Sequence, residues 1–252
     1  MYKRQTLPVE TAELMHVSDF RRCQFEAARD DATEAGATRL TSLSATLLED
    51  LKRFEPLKSD GDGLEALEVL AAAVRHGRAL LLHLQHSYRV IPLTVFPADG
   101  SMHCTLAFGH LLSLEMSDLR VLHVEPARLR PLGSREHHRV GDPEHYAPLG
   151  PFLWELALRG VRESLLPEIA GPAAYRIAPG AELNPLGLAG TLGAAVVRLR
   201  REACNLREIA SWPGFDRERA QRLLNGLYLQ AALIVSRTHP AAIDEGFCSY
   251  ND

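Results

Sequence analysis

Residues 205–224 read NLREIASWPGFDRERAQRLL, and this stretch constrains the fold more tightly than any other. Asn205 stands where a helix is capped, and Glu208, three residues on, completes a capping box of reciprocal side-chain to backbone bonds. Helix cannot continue through Trp212-Pro213-Gly214. Proline disfavours helical backbone at the residue before it, and glycine permits the reversal. Asp216 then caps a longer helix. Its apolar residues Ala220, Leu223, Leu224, Leu227 and Tyr228 recur at i, i+3, i+4, i+7 and i+8, the stripe of a helix with one buried face. In the first, shorter helix Leu206, Ile209 and Ala210 are expected to face inward.

The flanks extend the pattern. LGAAVVRLRRE, roughly Leu192–Glu202, predicts a preceding helix, and ALIVSR a trailing strand. Three helices, a tight turn and a strand over residues 186–238 resemble the winged-helix branch of the helix-turn-helix superfamily. They are also similar to the winged-helix tails of bacterial regulatory proteins. The residues that carry the resemblance are Leu199, Leu206, Ile209, Leu223, Leu224, Leu227 and Ile234. A second wing strand is not evident after Thr238-His239-Pro240. The resemblance implies either protein contacts or DNA reading.

For DNA reading, the exposed face of the third helix is expected to carry Glu218, Gln221, Arg222 and Asn225. Glutamine and asparagine suit adenine, and arginine suits guanine or phosphate. Arg198, Arg201 and Arg217 are the candidate phosphate contacts. Residues 184–239 hold eight arginines against four acidic residues, a local +4 on a chain whose formal net charge is −4. Against DNA stand Asp216 and Glu218, which place negative charge at the helix end that normally approaches base edges. The same seven residues serve equally as a protein-docking face, and protein partners or self-association are the leading expectation.

Upstream the period changes. Residues 10–58 read helical, with Leu43, Leu47, Leu48 and Leu51 at helical spacing. After SDGDG, Asp62 and Glu65 are read as a capping box for a helix that runs to His76 and stops at Gly77. RALLLHLQ, YRVIPLTVF, SMHCTLAF and LRVLHVEP predict short strands of a small antiparallel sheet. Asp99-Gly100 makes a hairpin turn, and Pro92 calls for an edge or a bulge. His83, His103 and His123 lie mid-strand, with His86 and Cys104 nearby. They are the candidate ligands if the chain holds a metal, because imidazole and thiolate suit zinc. The alternative is ordinary strand histidines. Cys104 is read as a small strand residue rather than an activated thiol.

Residues 132–150, rich in proline, glycine and charge, are expected to link two parts, with His137, His138 and His145 in a solvated loop. PFLWELALRGVRESLLPEIAG then predicts one amphipathic helix ended by Pro167. Trp154, Leu158, Val161 and Leu165 form its stripe, and AAYRIAPG follows as a strand. The fold class is therefore α+β. A helical N-terminal segment with a small antiparallel sheet (6–131) is linked to a mainly helical, winged-helix-like C-terminal module (151–240), and 241–252 forms a tail.

At 252 residues, 46% of them apolar, the chain can bury a core without staples. Its four scattered cysteines have no metal-ligand spacing, and no apolar run reaches a membrane span. No secretory leader is evident, so a cytoplasmic protein without membrane contact is expected. Met1–Gln5 would be encoded by GTG-TAT-AAG-AGA-CAG, the transposon end of sequencing-library adapters. These residues are read as an assembly scar, and the natural protein is expected to extend upstream. Arginine far outnumbers lysine, which occurs only at positions 3, 52 and 58, as in a GC-rich bacterial genome. No nucleophile elbow, phosphate loop or dinucleotide fingerprint occurs, and no cofactor is expected. A non-catalytic bacterial regulatory or signalling protein is the leading expectation. A transcription regulator is the alternative, and a metal-dependent enzyme or sensor using His83, His103 and His123 is the second alternative.

Overall fold

A computed structural model describes residues 14–33 and 64–242. The expected helix over Leu43–Leu51, the Asp62 cap, Met1–Gln5 and most of the 241–252 tail lie outside them. The described residues form an α+β protein with seven α-helices, a six-stranded antiparallel sheet and a small three-stranded sheet. The chain divides into two compact units. Of the described residues, the first comprises those up to 114 and 118–147, and the second 115–117 and 148–242.

The first unit contains α1 (Val17–Thr33), β1 (Leu64–Glu65), α2 (Ala66–His76), β2 (Leu80–His86), β3 (Arg89–Phe96), β4 (Ser101–Cys104), α3 (Phe108–Ser113) and β5 (Arg120–Pro126). With β6 (Tyr146–Pro148) the strand order is β1-β5-β2-β3-β4-β6. Residues paired directly across strands share a face, so the register sorts the side chains. Leu80, Leu82 and Leu84 on β2 oppose Val95, Leu93 and Ile91 on β3. Met102 and Cys104 continue the set on β4, and all are buried. Alternation of this kind is what a strand with one core face requires. Leu67, Val69, Leu70 and Ala71–Ala73 of α2 add to the core. Gly77 ends α2 at φ 58°, its N–H bonded to the last-turn carbonyls of Ala73 and Val74, as expected of a glycine stop.

Pro92 sits inside the sheet, yet at a gap in the bonding. The Val90 N–H bonds Met15, away from β2, so the nitrogen two residues on points the same way. On that side β4 pairs with β3 only over Leu93–Phe96. The missing N–H of Pro92 therefore faces a local edge. The Asp99-Gly100 turn forms as a single 3-10 turn with Gly100 at φ 61°.

Two expectations here are corrected. Glu65 closes no capping box. It lies in β1 and takes the N-cap position of α2, where its side chain makes no cap bond. The segment read as the 132–150 linker is structured in part. Arg130 bridges Val140, and Arg130 and Arg139 both pair with Glu136. The chain then enters β6 at Tyr146, whose ring stacks on Phe96 at 6.1 Å. The Tyr146 hydroxyl accepts from the Gly141 N–H at 3.0 Å and donates to the Arg130 carbonyl. These are tertiary ties of a kind that composition does not reveal.

The second unit contains α4 (Leu149–Arg159), β7 (Ala174–Ile177), α5 (Gly190–Arg201), β8 (Cys204–Asn205), α6 (Leu206–Ala210), α7 (Arg217–Leu229) and β9 (Leu233–Ser236). The capping box at Asn205 and Glu208 forms in full, both bonds at 2.9 Å. Asp216 accepts from the Arg219 N–H at 2.7 Å. Gly214 takes φ 77°, where a Cβ would strike the Thr191 methyl at 2.9 Å. Of the inward set on α6 only Ile209 is fully buried, while Leu206 and Ala210 are half-buried.

The helix expected over 151–167 is corrected. It stops at Arg159, and Val161, expected on its buried stripe, is 45% exposed. A Cβ on Gly160 would lie 2.3 Å from the Leu156 carbonyl oxygen, so only glycine fits this exit. No second wing strand follows β9 among the described residues. Instead β7, from before α5, lies between β8 and β9 and pairs antiparallel with both.

Candidate functional site

The face of α7 proposed to read bases or bind a partner is occupied by the chain itself. After Gly160 the backbone runs along α7, and three side chains clamp it. Asn225 is fully buried. Its amide oxygen accepts from the Leu166 N–H and its nitrogen donates to the Ser164 carbonyl, both at 2.9 Å. The Arg222 guanidinium donates to the carbonyls of Leu158 at 2.9 Å and Gly160 at 2.7 Å, and so caps the C-terminus of α4. It also pairs with Glu218 at 2.8 Å. The Gln221 amide, with its nitrogen turned toward the backbone, donates to the Glu163 carbonyl at 2.7 Å. One turn on, a Cβ at Gly226 would lie 2.8 Å from the Trp154 ring, so α4 and α7 pack closely there. The expectation of an exposed Gln221–Arg222–Asn225 face is thus corrected: buried amides and carbonyls need partners, and these side chains supply them. Glu218 stays half-exposed beside Arg222.

The basic surplus is similarly spent. Arg198 pairs with Glu202 and stacks over Trp212 at 4.7 Å. Arg200 donates to the Ala181 carbonyl. Arg219 binds the Gly214 carbonyl and the Thr191 hydroxyl, and Arg237 reaches the carbonyls of Pro172 and Glu168. Arg201, Arg207 and Arg217 remain as exposed cations without ion pairs among the described residues. Three charges on α5, α6 and the first turn of α7 make a sparse phosphate-binding surface.

Between the C-terminus of α5 and α6 lies an open cavity of about 290 Å³ lined by Arg198, Glu202, Cys204, Glu208, Ser211 and Trp212, among others. Burial first, then the Glu202 and Glu208 carboxylates, push the Cys204 thiol up to about 11, against the opposing pull of Arg198. The thiol is therefore protonated at neutral pH and no nucleophile. Its environment also shows that negative charge outweighs Arg198 in this hollow. Cys104 is likewise pushed up to about 11, chiefly by burial. The sequence reading missed this hollow and the 158–166 clamp. The signal for the clamp was an asparagine, a poor helix former, in the middle of α7.

The three strand histidines do share one face of the large sheet, but they do not converge. His83 opposes His123 across β2 and β5, their rings 5.8 Å apart. His103 pairs with Thr94 on β4, two strand spacings or about 10 Å from β2. Its neighbours are Tyr146 at 4.9 Å and His145 at 5.6 Å. Among the described residues no group of three or more His, Cys, Asp and Glu side chains could hold a metal ion. Phe20 of α1 covers His83 at 4.6 Å, and its Nδ1 is buried without a hydrogen-bond partner. Burial lowers His83 to about 4, although Glu125 pulls the other way. Burial and then His145 lower His103 to about 4, against Asp142. Both are neutral packing groups at pH 7. No described helix is long and apolar enough to cross a membrane. No family model, curated protein or solved structure matches this chain.

Proposed function

We propose that the chain is a non-catalytic bacterial regulatory or signalling component, and that its second unit is a winged-helix-like block used for docking a protein partner rather than for reading DNA. The observation that carries this reading is Asn225: a residue needed for base contacts is fully buried and bonded through both amide atoms to the chain's own backbone. The winged-helix likeness draws support from the three helices α5–α7 with a three-stranded sheet beside them, in which β7 takes the third place and no strand follows β9 among the described residues. The docking face is the α5–α6 side. There the Arg198–Trp212 stack and the Glu202 and Glu208 carboxylates border a cavity large enough for one or two partner side chains, and Arg201 and Arg207 are exposed on the same two helices. An arginine stacked on tryptophan, ringed by mixed charge, has the composition of an interface anchor.

Site-specific photo-crosslinking in cells of the native host tests this. A photoreactive residue at position 201 or 207 is expected to trap the same partner, and one at Val161, on the clamped side, to trap none. Adducts from position 161 alone, or from none of the three, would overturn the reading. So would a gel shift on genomic DNA fragments that weakens steeply with salt, the signature of phosphate binding.

A further inference from the structure

The small sheet of the second unit has two edges of different character. On one, β8 is only two residues long, and the Asn205 amide donates to the Ala241 carbonyl in the turn Pro240–Ala242 beside it. On the other, β9 reads Leu-Ile-Val-Ser, with no charge, proline or bulge to discourage pairing.

The register shows which backbone groups β9 leaves open. The Ala178 N–H bonds the Ala232 carbonyl, and Ala174–Ile177 pair with Ser236–Leu233. Groups of one strand alternate in direction, so Ile234 and Ser236 point their N–H and C=O toward β7. Leu233 and Val235 point theirs outward, and these meet no partner among the described residues. The two outward residues sit symmetrically about Ile234, whose side chain is 44% exposed.

We propose that β9 is a self-association seam: two copies of this chain pair β9 antiparallel about a two-fold axis through Ile234. Leu233 of one copy faces Val235 of the other, twice, and all four outward N–H groups find carbonyls. Ile234 meets Ile234 as a non-hydrogen-bonded pair, the closer of the two pair types, which covers both exposed side chains. The two three-stranded sheets become one of six strands. The partner is a second copy because the edge is complementary to itself in chemistry and charge. The strand is uncharged. Arg237 lies beyond it, bonded back to Glu168 and Pro172. Arg176, beside Ile234 on β7, would sit three strand spacings or about 14 Å from its copy, beyond the screening length at 0.1 M salt. This seam is independent of the α5–α6 docking face.

Sedimentation velocity over a concentration series tests the seam on the full chain. The native protein is expected to show a concentration-dependent dimer. Val235→Pro removes only an outward N–H and should abolish the dimer while leaving the β7 ladder intact. Ile234→Lys and Ile234→Glu should each give monomers with an unchanged circular dichroism spectrum. Mixed in equal amounts they should recover a heterodimer, because residue 234 then faces its opposite charge. Three results would overturn the proposal: a native chain that stays monomeric throughout, a dimer indifferent to these substitutions, or a mixture that fails to recover.

Discussion

Asn225 shows how one polar side chain decides what a helix face is for. Asn225→Ala would leave the Leu166 N–H and the Ser164 carbonyl without partners. With two backbone groups orphaned in a buried setting, a loss of about 3 kcal/mol is expected, read as a lower urea midpoint of the second unit. Asn225→Asp separates the two bonds. Its carboxylate still accepts from Leu166 but turns oxygen toward the Ser164 carbonyl, so it should be no better than alanine at pH 7 and should improve on acidification. Equal stability of native and alanine forms would show that the clamp is not needed. The Asn205 and Asp216 caps were readable in sequence because each bond spans three residues, from Asn205 to Glu208 and from Asp216 to Arg219. The clamp was not, because its bonds join residues 58 to 64 positions apart.

Among the elements, the legible ones are those whose stop signals are local. Gly77, the Pro213-Gly214 turn and the Asp99-Gly100 hairpin all appear where the sequence put them. The sequence predicts α4 longer than it is because Val161 and Leu165 continue its spacing past Gly160. A glycine alone does not forbid helix, and the Arg222 cap that secures the exit comes from α7. The stretch before β6 failed to read for a related reason: a polar, proline-rich sequence looks like a linker until tertiary bonds are counted. The Tyr146 hydroxyl supplies two of them. Tyr146→Phe keeps the ring against Phe96 and His103 and removes only those bonds. Its expected cost is about 1–2 kcal/mol. Limited proteolysis within residues 131–141 should become several-fold faster, and an unchanged cleavage rate would mean that the Arg130–Glu136–Arg139 pairs alone hold the segment.

Across the whole molecule, the distribution of aromatic and titratable groups makes the two units separately observable. His83 and His103, both lowered to about 4 by burial, belong to the first unit. Unfolded, each histidine would titrate near 6.5, so below that pH the unfolded chain binds more protons than the folded one. Their contribution is complete above pH 6.5 and is lost as the pH falls toward 4. With roughly 1.4 kcal/mol per pH unit and histidine, the two together cost the first unit on the order of 6 kcal/mol across that window. Both tryptophans, Trp154 and Trp212, lie in the second unit. Thermal unfolding followed by far-ultraviolet circular dichroism is therefore expected to move to lower temperature and split between pH 7 and 4.5. The early phase should be silent in tryptophan fluorescence. His83→Leu replaces the histidine against Phe20 with an apolar side chain that cannot take up a proton, and it should remove about half of the acid shift. Fluorescence and dichroism that fall together at every pH would show that the two units unfold as one, and a first phase insensitive to His83→Leu would remove the histidine from the account.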